Sequence, residues 1–176
     1  MKRAMSIVGL FLIPALMPTA ALSMDLTSSS FSGGKIKKES ACSNHGGKDV
    51  SPQISISSAP PGTTHFAVII DDPDAVPVAR KTWVHWNVVN IPADKTDFAA
   101  GETPPGSELT NHNKRTRYAG MCPPNGTHTY RLAVYALKAP IETGGFFGPS
   151  MLTQESFQSK YSEQILDQAQ IDGAFP

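Results

Sequence analysis

DDPDAVPVARKTWVHWNVVNIP, residues 71–92, sets a proline-bounded acidic turn directly before a run of β-branched and aromatic residues from Thr82 to Ile91. Val, Ile, Thr and Trp at this density favour a strand, because branched and aromatic side chains fit a pleated surface and lose rotamer freedom in a helix. Pro92 closes the run, since it has no N–H to donate to a ladder. One histidine between two tryptophans, behind a rigid turn carrying Asp72 and Asp74, reads as one wall of a binding pocket. Side chains two apart on a strand share a face. The spacing therefore predicts Trp83 and His85 on one face, and Val84, Trp86 and Val88 on the other.

The segments around this stretch extend the pattern. His65-Phe-Ala-Val-Ile-Ile70 is a nearly continuous apolar run, as a central strand buried on both faces requires. Upstream, Ile54 and Ile56 lie on one side of a short strand in residues 51–57. Residues 24–36 alternate weakly into the Gly33-Gly34 pair and read as an edge strand followed by a turn. Downstream, residues 93–117 are polar and aperiodic, a long surface connection with room for a helical turn. TYRLAVYALK, residues 129–138, is a second strong strand opening from the Asn125-Gly126 turn.

One long helix is predicted over residues 153–169, with Thr153 as its cap and Phe157, Tyr161, Ile165 and Leu166 at helical spacing. Gly173 lies just beyond its end. A strand-dominated chain with one late helix predicts an all-β sandwich or related core carrying its helix at the periphery.

With 176 residues the chain is long enough for one domain with a single core. Its 40% hydrophobic and 17% charged residues exclude disorder, and 14 glycines with 15 prolines, scattered without period, favour a loop-rich β protein. Residues 1–23 have the layout of a secretory signal peptide: Lys2 and Arg3, an apolar stretch from Ser6 to Met17, then Ala21-Leu22-Ser23 as the cleavage site. An uncleaved anchoring helix is the other reading of that segment. Cleavage near Ser23 leaves residues 24–176 as a single exported domain, periplasmic or secreted, with no membrane span.

That cleavage removes two basic residues from 15 basic and 15 acidic, leaving a net charge of −2. So weak a charge gives no field for nucleic acid or anionic lipid. Two cysteines, Cys42 and Cys122, suggest a disulfide in an oxidising compartment, with two buried free thiols as the alternative.

On the later strand His128, Tyr130, Leu132 and Val134 share one face, with Arg131 opposite. If the two strands approach at their ends, His85 meets His128 and Tyr130 beside a glycine- and proline-rich loop whose backbone N–H groups are unencumbered. Such a cluster suits a small anion: phosphate, sulfate or carboxylate. Asp72 and Asp74 fit that pocket if they orient the imidazoles and favour their protonated state, so that His85 carries positive charge to the ligand.

DPDAVP followed by WVHW, and then YAGMCPPNGTHTY, resembles the two signature regions of the phosphatidylethanolamine-binding protein family, the Raf kinase inhibitor-like proteins. Cys42, Asp49-Val-Ser51-Pro52 and Cys122 resemble its bacterial exported branch. The resemblance runs from about Asp25 to Phe175. It implies a Greek-key β-sandwich with a C-terminal helix, short peripheral helical turns and a small anion pocket at one end. By motif position it places Asp72, Asp74, His85, Gly120, Met121, Cys122, Pro123, His128 and Tyr130 at the ligand, with no catalytic residue, metal or cofactor. Three positions depart from the family's usual pattern. Val76 lengthens the acidic turn and predicts a displaced Pro77, Met121 in place of proline predicts a looser loop, and Ile56 in place of tryptophan bears only on core packing.

Three functions compete on these grounds. The leading one is an exported protein that binds a small anion or phospholipid head group without catalysis. The second is a regulator that inhibits a protease or a kinase through the same surface, a kinase being disfavoured outside the cytosol. The third is a metal-dependent hydrolase using Asp72, Asp74, His85 and His128, against which no compact ligand motif is present. Phe146-Phe147 is either an interface patch or a loop tucked onto the core. The oligomeric state is left open by the sequence.

Overall fold

The computed structural model describes residues 23–143 and 151–176. The leader-like segment before Ser23 and the Phe146-Phe147 pair lie outside them. Two sheets face each other. The smaller is ordered β1 (Asp25–Thr27), β4 (Ile54–Ser57), β7 (Asp97–Phe98). The larger runs β2 (Phe31–Ser32), β3 (Lys35–Ile36), β10 (Ile165–Phe175), β9 (His128–Leu137), β5 (His65–Asp72), β6 (Trp83–Pro92), β8 (Ser107–Glu108). Leu26, Ile54, Ile56 and Phe98 of the small sheet meet Phe66, Val68, Ile70, Trp86, Val88, Leu132 and Val134 of the large one in a single core. The chain is therefore a β-sandwich, as its strand-rich sequence predicts.

β5 is the central strand expected of an all-apolar run. It pairs antiparallel with β6 on one side and β9 on the other. Its Ala67 and Ile69 point away from the sandwich into a second core with Tyr135, Leu152, Phe157 and Tyr161. The helix α2 (Gln154–Tyr161) covers that outer face, Phe157 stacking on Tyr135 at 4.6 Å.

The expected long helix is corrected by the structure. Thr153 does cap α2, its Oγ1 accepting from Ser156 N at 3.2 Å, and Phe157 and Tyr161 are buried as the spacing requires. The helix ends at Tyr161, however, and Ile165–Phe175 form the eleven-residue strand β10. From Ile165 the sequence places Ile165, Ala169, Ile171, Gly173 and Phe175 on the less exposed side, a period of two that its i, i+4 coincidences hid. Gly173 is no helix terminator. A Cβ there would lie 2.5 Å from Ile36 and 2.8 Å from Phe31, so its absence lets β10 pass under the β2–β3 hairpin.

Residues 24–36 are likewise divided rather than one edge strand. β1 joins the small sheet, while β2 and β3 join the large one through Gly33 and Gly34, both with positive φ. The connection over 93–117 has no helical turn; it contributes the two-residue strands β7 and β8. A polar, aperiodic sequence gives no signal for strands that short.

Candidate functional site

Three strand ends meet at one edge of the large sheet. β5 ends at Asp72, β6 begins at Trp83 and β9 begins at His128, and they border one cavity of about 350 Å³. Asp72, His85 and His128 supply its polar groups, while Ala75, Val78, Ala79 and Trp83 form an apolar wall. Gly120, Cys122 and Pro124 face them from the opposite loop, and Asn113 closes one side.

The acidic turn is built from its own side chains. Asp72 Oδ1 accepts from Ala75 N at 3.1 Å, capping a 3-10 turn over Pro73–Ala75, and α1 (Val76–Ala79) follows directly. The extra Val76 does not displace the proline harmfully. Pro77 sits in the first turn of α1, where its missing N–H has no partner to lose. Asp74 points out of the cavity: its Oδ2 accepts from Thr129 N at 2.8 Å and ties the turn to β9.

A bulge positions His85. Ile70 pairs with Trp86 and Asp71 with Val84, which leaves His85 opposite no residue of β5. Strict alternation would separate His85 from Trp86. Instead the His85 ring lies 5.2 Å from Tyr130, edge-on, while Trp86 packs in the same core as Tyr130. Trp83 and His85 share the cavity as expected, but the face opposite them is corrected: Trp86 and Val88 lie with Tyr130 in the sandwich core rather than on the other side of the sheet.

Both imidazoles are held by Nδ1. His85 Nδ1 donates to Ala119 O at 2.8 Å, and His128 Nδ1 donates to Asp72 Oδ2 at 2.7 Å. A carbonyl and a carboxylate only accept, so each ring keeps its proton on Nδ1. Nε2 of each makes no hydrogen bond among the described residues, and both rings line the cavity. Asp72 thus orients His128 and not His85. Burial holds His85 below the usual imidazole range, against the opposing pull of the Ala119 carbonyl and Asp72. Burial therefore works against the positive charge expected on His85 before a ligand arrives.

Tyr130 lies beneath the two rings, fully buried, and its Oη has no hydrogen-bond partner among the described residues. Burial pushes the phenol far above its ordinary value, so it stays a donor. It does not itself border the cavity; nor do Asp74, Met121 and Pro123.

The loop opposite is a wall, and the N–H groups of Gly120 and Met121 are spent on the protein. Gly120 N donates to Asp49 Oδ1 at 2.9 Å, Met121 N to Ser40 O at 3.3 Å, and two prolines follow Cys122. Met121 loosens nothing. It is fully buried with Sδ 2.7 Å from Tyr118 Oη, and its carbonyl accepts from Cys42 N at 3.0 Å. Gly120 is required by space, since a Cβ there would meet Cys42 N at 2.5 Å and the Ala41 carbonyl carbon at 2.6 Å. Cys42 and Cys122 form a disulfide that clamps this wall to the loop at residues 38–47.

Sequence reasoning missed the supports behind the site. Asn111 Nδ2 donates to His85 O at 3.1 Å and Arg117 O at 2.6 Å, folding the preceding loop over β6. Asp71 turns its buried carboxylate to the outer face, where Arg131 grips it through two nitrogens at 2.8 and 2.9 Å. The doubled aspartate before Pro73 was the available signal: neighbours on a strand must serve opposite faces. Among the described residues Asp72, Asp74, His85 and His128 form no grouping of three mutually close ligand atoms. Among the described residues the three-ligand grouping is Cys42, His45 and Cys122.

The sequence profile of the phosphatidylethanolamine-binding protein family matches residues 27–176. A UPF0098 protein of Aquifex aeolicus is 35% identical over 161 residues, covering 86% of this chain and 88% of its own. LppC of Mycobacterium tuberculosis, which is named as a lipoprotein, is 38% identical over 99 residues, 54% of this chain and 47% of its own. A phosphatidylethanolamine-binding protein homologue of Chlamydia trachomatis superposes with a TM-score of 0.74 at 27% identity, covering 88% of this chain and 97% of that one.

Proposed function

The chain belongs to the phosphatidylethanolamine-binding protein family, and on that premise we propose that its cavity holds a small anion or a phospholipid head group without transforming it. The observation that carries this reading is the pair His85 and His128, each fixed through Nδ1 and each left with a free Nε2 on one cavity. A phosphate or carboxylate oxygen accepts from two such nitrogens once they are protonated. The wall of Ala75, Val78, Ala79 and Trp83 suits the carbon chain of a head group better than a second charge. A non-catalytic role fits the commitments of the polar groups: Asp72 is engaged with His128 and Ala75, and Cys122 is in a disulfide. Export fits that disulfide, the lipoprotein-named relative and the leader-like start.

Thermal unfolding in phosphate, phosphoethanolamine and acetate tests the reading. At a hundredfold excess over Kd, a bound anion adds about 2.7 kcal/mol. The His85→Ala variant is expected to fold and to lose that gain. Equal stabilisation of wild type and variant by phosphate would place the site elsewhere.

A pH dependence follows from the burial of His85. The unfolded chain takes up this proton near pH 6.5, the folded chain only at lower pH. The unfolded state then binds more protons between the two values, so stability is fully present above about pH 6.5 and falls as the pH drops toward the folded value. His112, whose imidazole burial also holds down, acts in the same direction. An anion that draws a proton onto His85 reverses the loss. Stabilisation by sulfate, whose own charge is constant in this range, is expected to grow below about pH 6.5. A flat sulfate effect across that range would contradict proton-coupled binding.

A further inference from the structure

Cys42-Ser-Asn-His45 is a Cys-x-x-His segment folded as a 3-10 turn over Ser43–His45 with Cys42 as its N-cap. Residues three apart eclipse each other in such a turn, which sets the Cys42 thiol and the His45 imidazole on one side. His45 N and Gly47 N both donate to Cys42 O, at 3.1 and 2.9 Å. A Cβ on Gly47 would fall 2.0 Å from Ala41 O, so the turn closes in this form only with glycine there. Phe175 meets the His45 ring edge-on at 5.9 Å and steadies it. The bridge between Ala41 and Met121 delivers Cys122 to the same spot. Cys42 Sγ, Cys122 Sγ and a ring nitrogen of His45 all lie within 4.8 Å of one another.

In the oxidised chain the two sulfurs are spent on each other, and the imidazole beside them is left over. The geometry points to a second, redox-gated site: once the disulfide is reduced, Cys42, Cys122 and His45 hold one Zn²⁺ ion. Two thiolates, one imidazole and an open fourth position for water form an established zinc ligand set. Cys122 is exposed, so a thiol reagent reaches it. A dithiol reductant supplies two electrons and two protons, opens the S–S bond to two thiols and closes its own disulfide. Zn²⁺ then replaces both thiol protons, which leave to solvent. The metal takes over the clamp that the disulfide provides. Because Cys122 also borders the anion cavity, the pocket wall keeps its place in both redox states.

The test uses the purified protein, reduced anaerobically with a dithiol that is then removed, and titrated with Zn²⁺ against a chromophoric chelator. One Zn²⁺ per reduced chain and none per oxidised chain is the expected result. Replacing Zn²⁺ with Co²⁺ is expected to give sulfur-to-metal charge-transfer absorption with tetrahedral d–d bands. His45→Ala is expected to weaken Zn²⁺ by at least ~10-fold, the scale for losing even a supporting partner of a metal ligand, while leaving disulfide formation and phosphate stabilisation unchanged. Absence of stoichiometric Zn²⁺ on the reduced wild type, or equal affinity in His45→Ala, overturns the site. Should reduction alone unfold the chain, Zn²⁺ is expected to restore strand circular dichroism in the wild type and not in His45→Ala. Failure to restore it in the wild type counts equally against the proposal.

Discussion

Arg131→Met is expected to destabilise the chain by about 3–5 kcal/mol, the range for removing one partner of a buried ion pair. Asp71 is fully buried, and its carboxylate faces the outer surface of the sheet, where α2 begins. Arg131 sits directly across from it in the β5–β9 register and donates through Nε and Nη2 at 2.8 and 2.9 Å. Gln154 N, at the first turn of α2, donates to the same carboxylate at 3.0 Å, and Arg131 reaches on to Glu155 at 2.7 Å. Removing the guanidinium strands a negative charge beneath α2, with only the Gln154 donors left to satisfy it. Burial already pulls the Asp71 carboxyl above its usual range, against Arg131 and Gln154. The variant therefore meets its charge by protonation or by detaching the helix. The double variant Asp71→Asn/Arg131→Met is expected to recover part of the loss, because no uncompensated charge remains. Urea denaturation reads both effects as midpoint shifts. A single variant within 1 kcal/mol of wild type would show that this pair does not hold the helix to the sheet.

Loss of the disulfide is expected to cost about 4 kcal/mol in the chain-entropy account, for a closure spanning 80 residues. The pair Cys42→Ala/Cys122→Ala tests this without a reductant or a metal. The same variant is expected to bind phosphate more weakly, because Cys122 borders the cavity and Gly120 is pressed against Cys42. Equal denaturation midpoints for wild type and variant would mean that the wall is held by its backbone bonds alone, Cys42 N to Met121 O among them.

The sequence carried the central strands plainly. His65–Asp72, Trp83–Pro92 and His128–Leu137 are long β-branched and aromatic runs, and no competing pattern obscures them. β10 was obscured, because Ile165, Leu166 and Ala169 satisfy a helical period as well as a strand one. Tertiary pairing with β9 decided between them. At the site, residue types were legible and orientations were not. His85, His128 and Asp72 do converge on one cavity, but a bulge reversed the faces around His85. An insertion in the ladder has no signature in a run where every residue is strand-forming. The loop from Gly120 to Pro123 reads as a donor nest in sequence because glycine and proline suggest bare backbone. The N–H groups of Gly120 and Met121 are instead committed to Asp49 and Ser40, partners 71 and 81 positions away along the chain. Asp74 shows the same limit: its type suits a ligand site, yet its carboxylate serves Thr129 N.

Histidine side-chain ¹H–¹⁵N spectra, recorded through a phosphate titration at fixed pH, address the pocket most directly. The Nε2 resonances of His85 and His128 are expected to move together along one saturating curve, with His85 shifting toward its protonated form and the other imidazoles following bulk conditions only. Unmoved Nε2 signals from both rings, while phosphate stabilises the fold, would show that the anion binds somewhere other than between them.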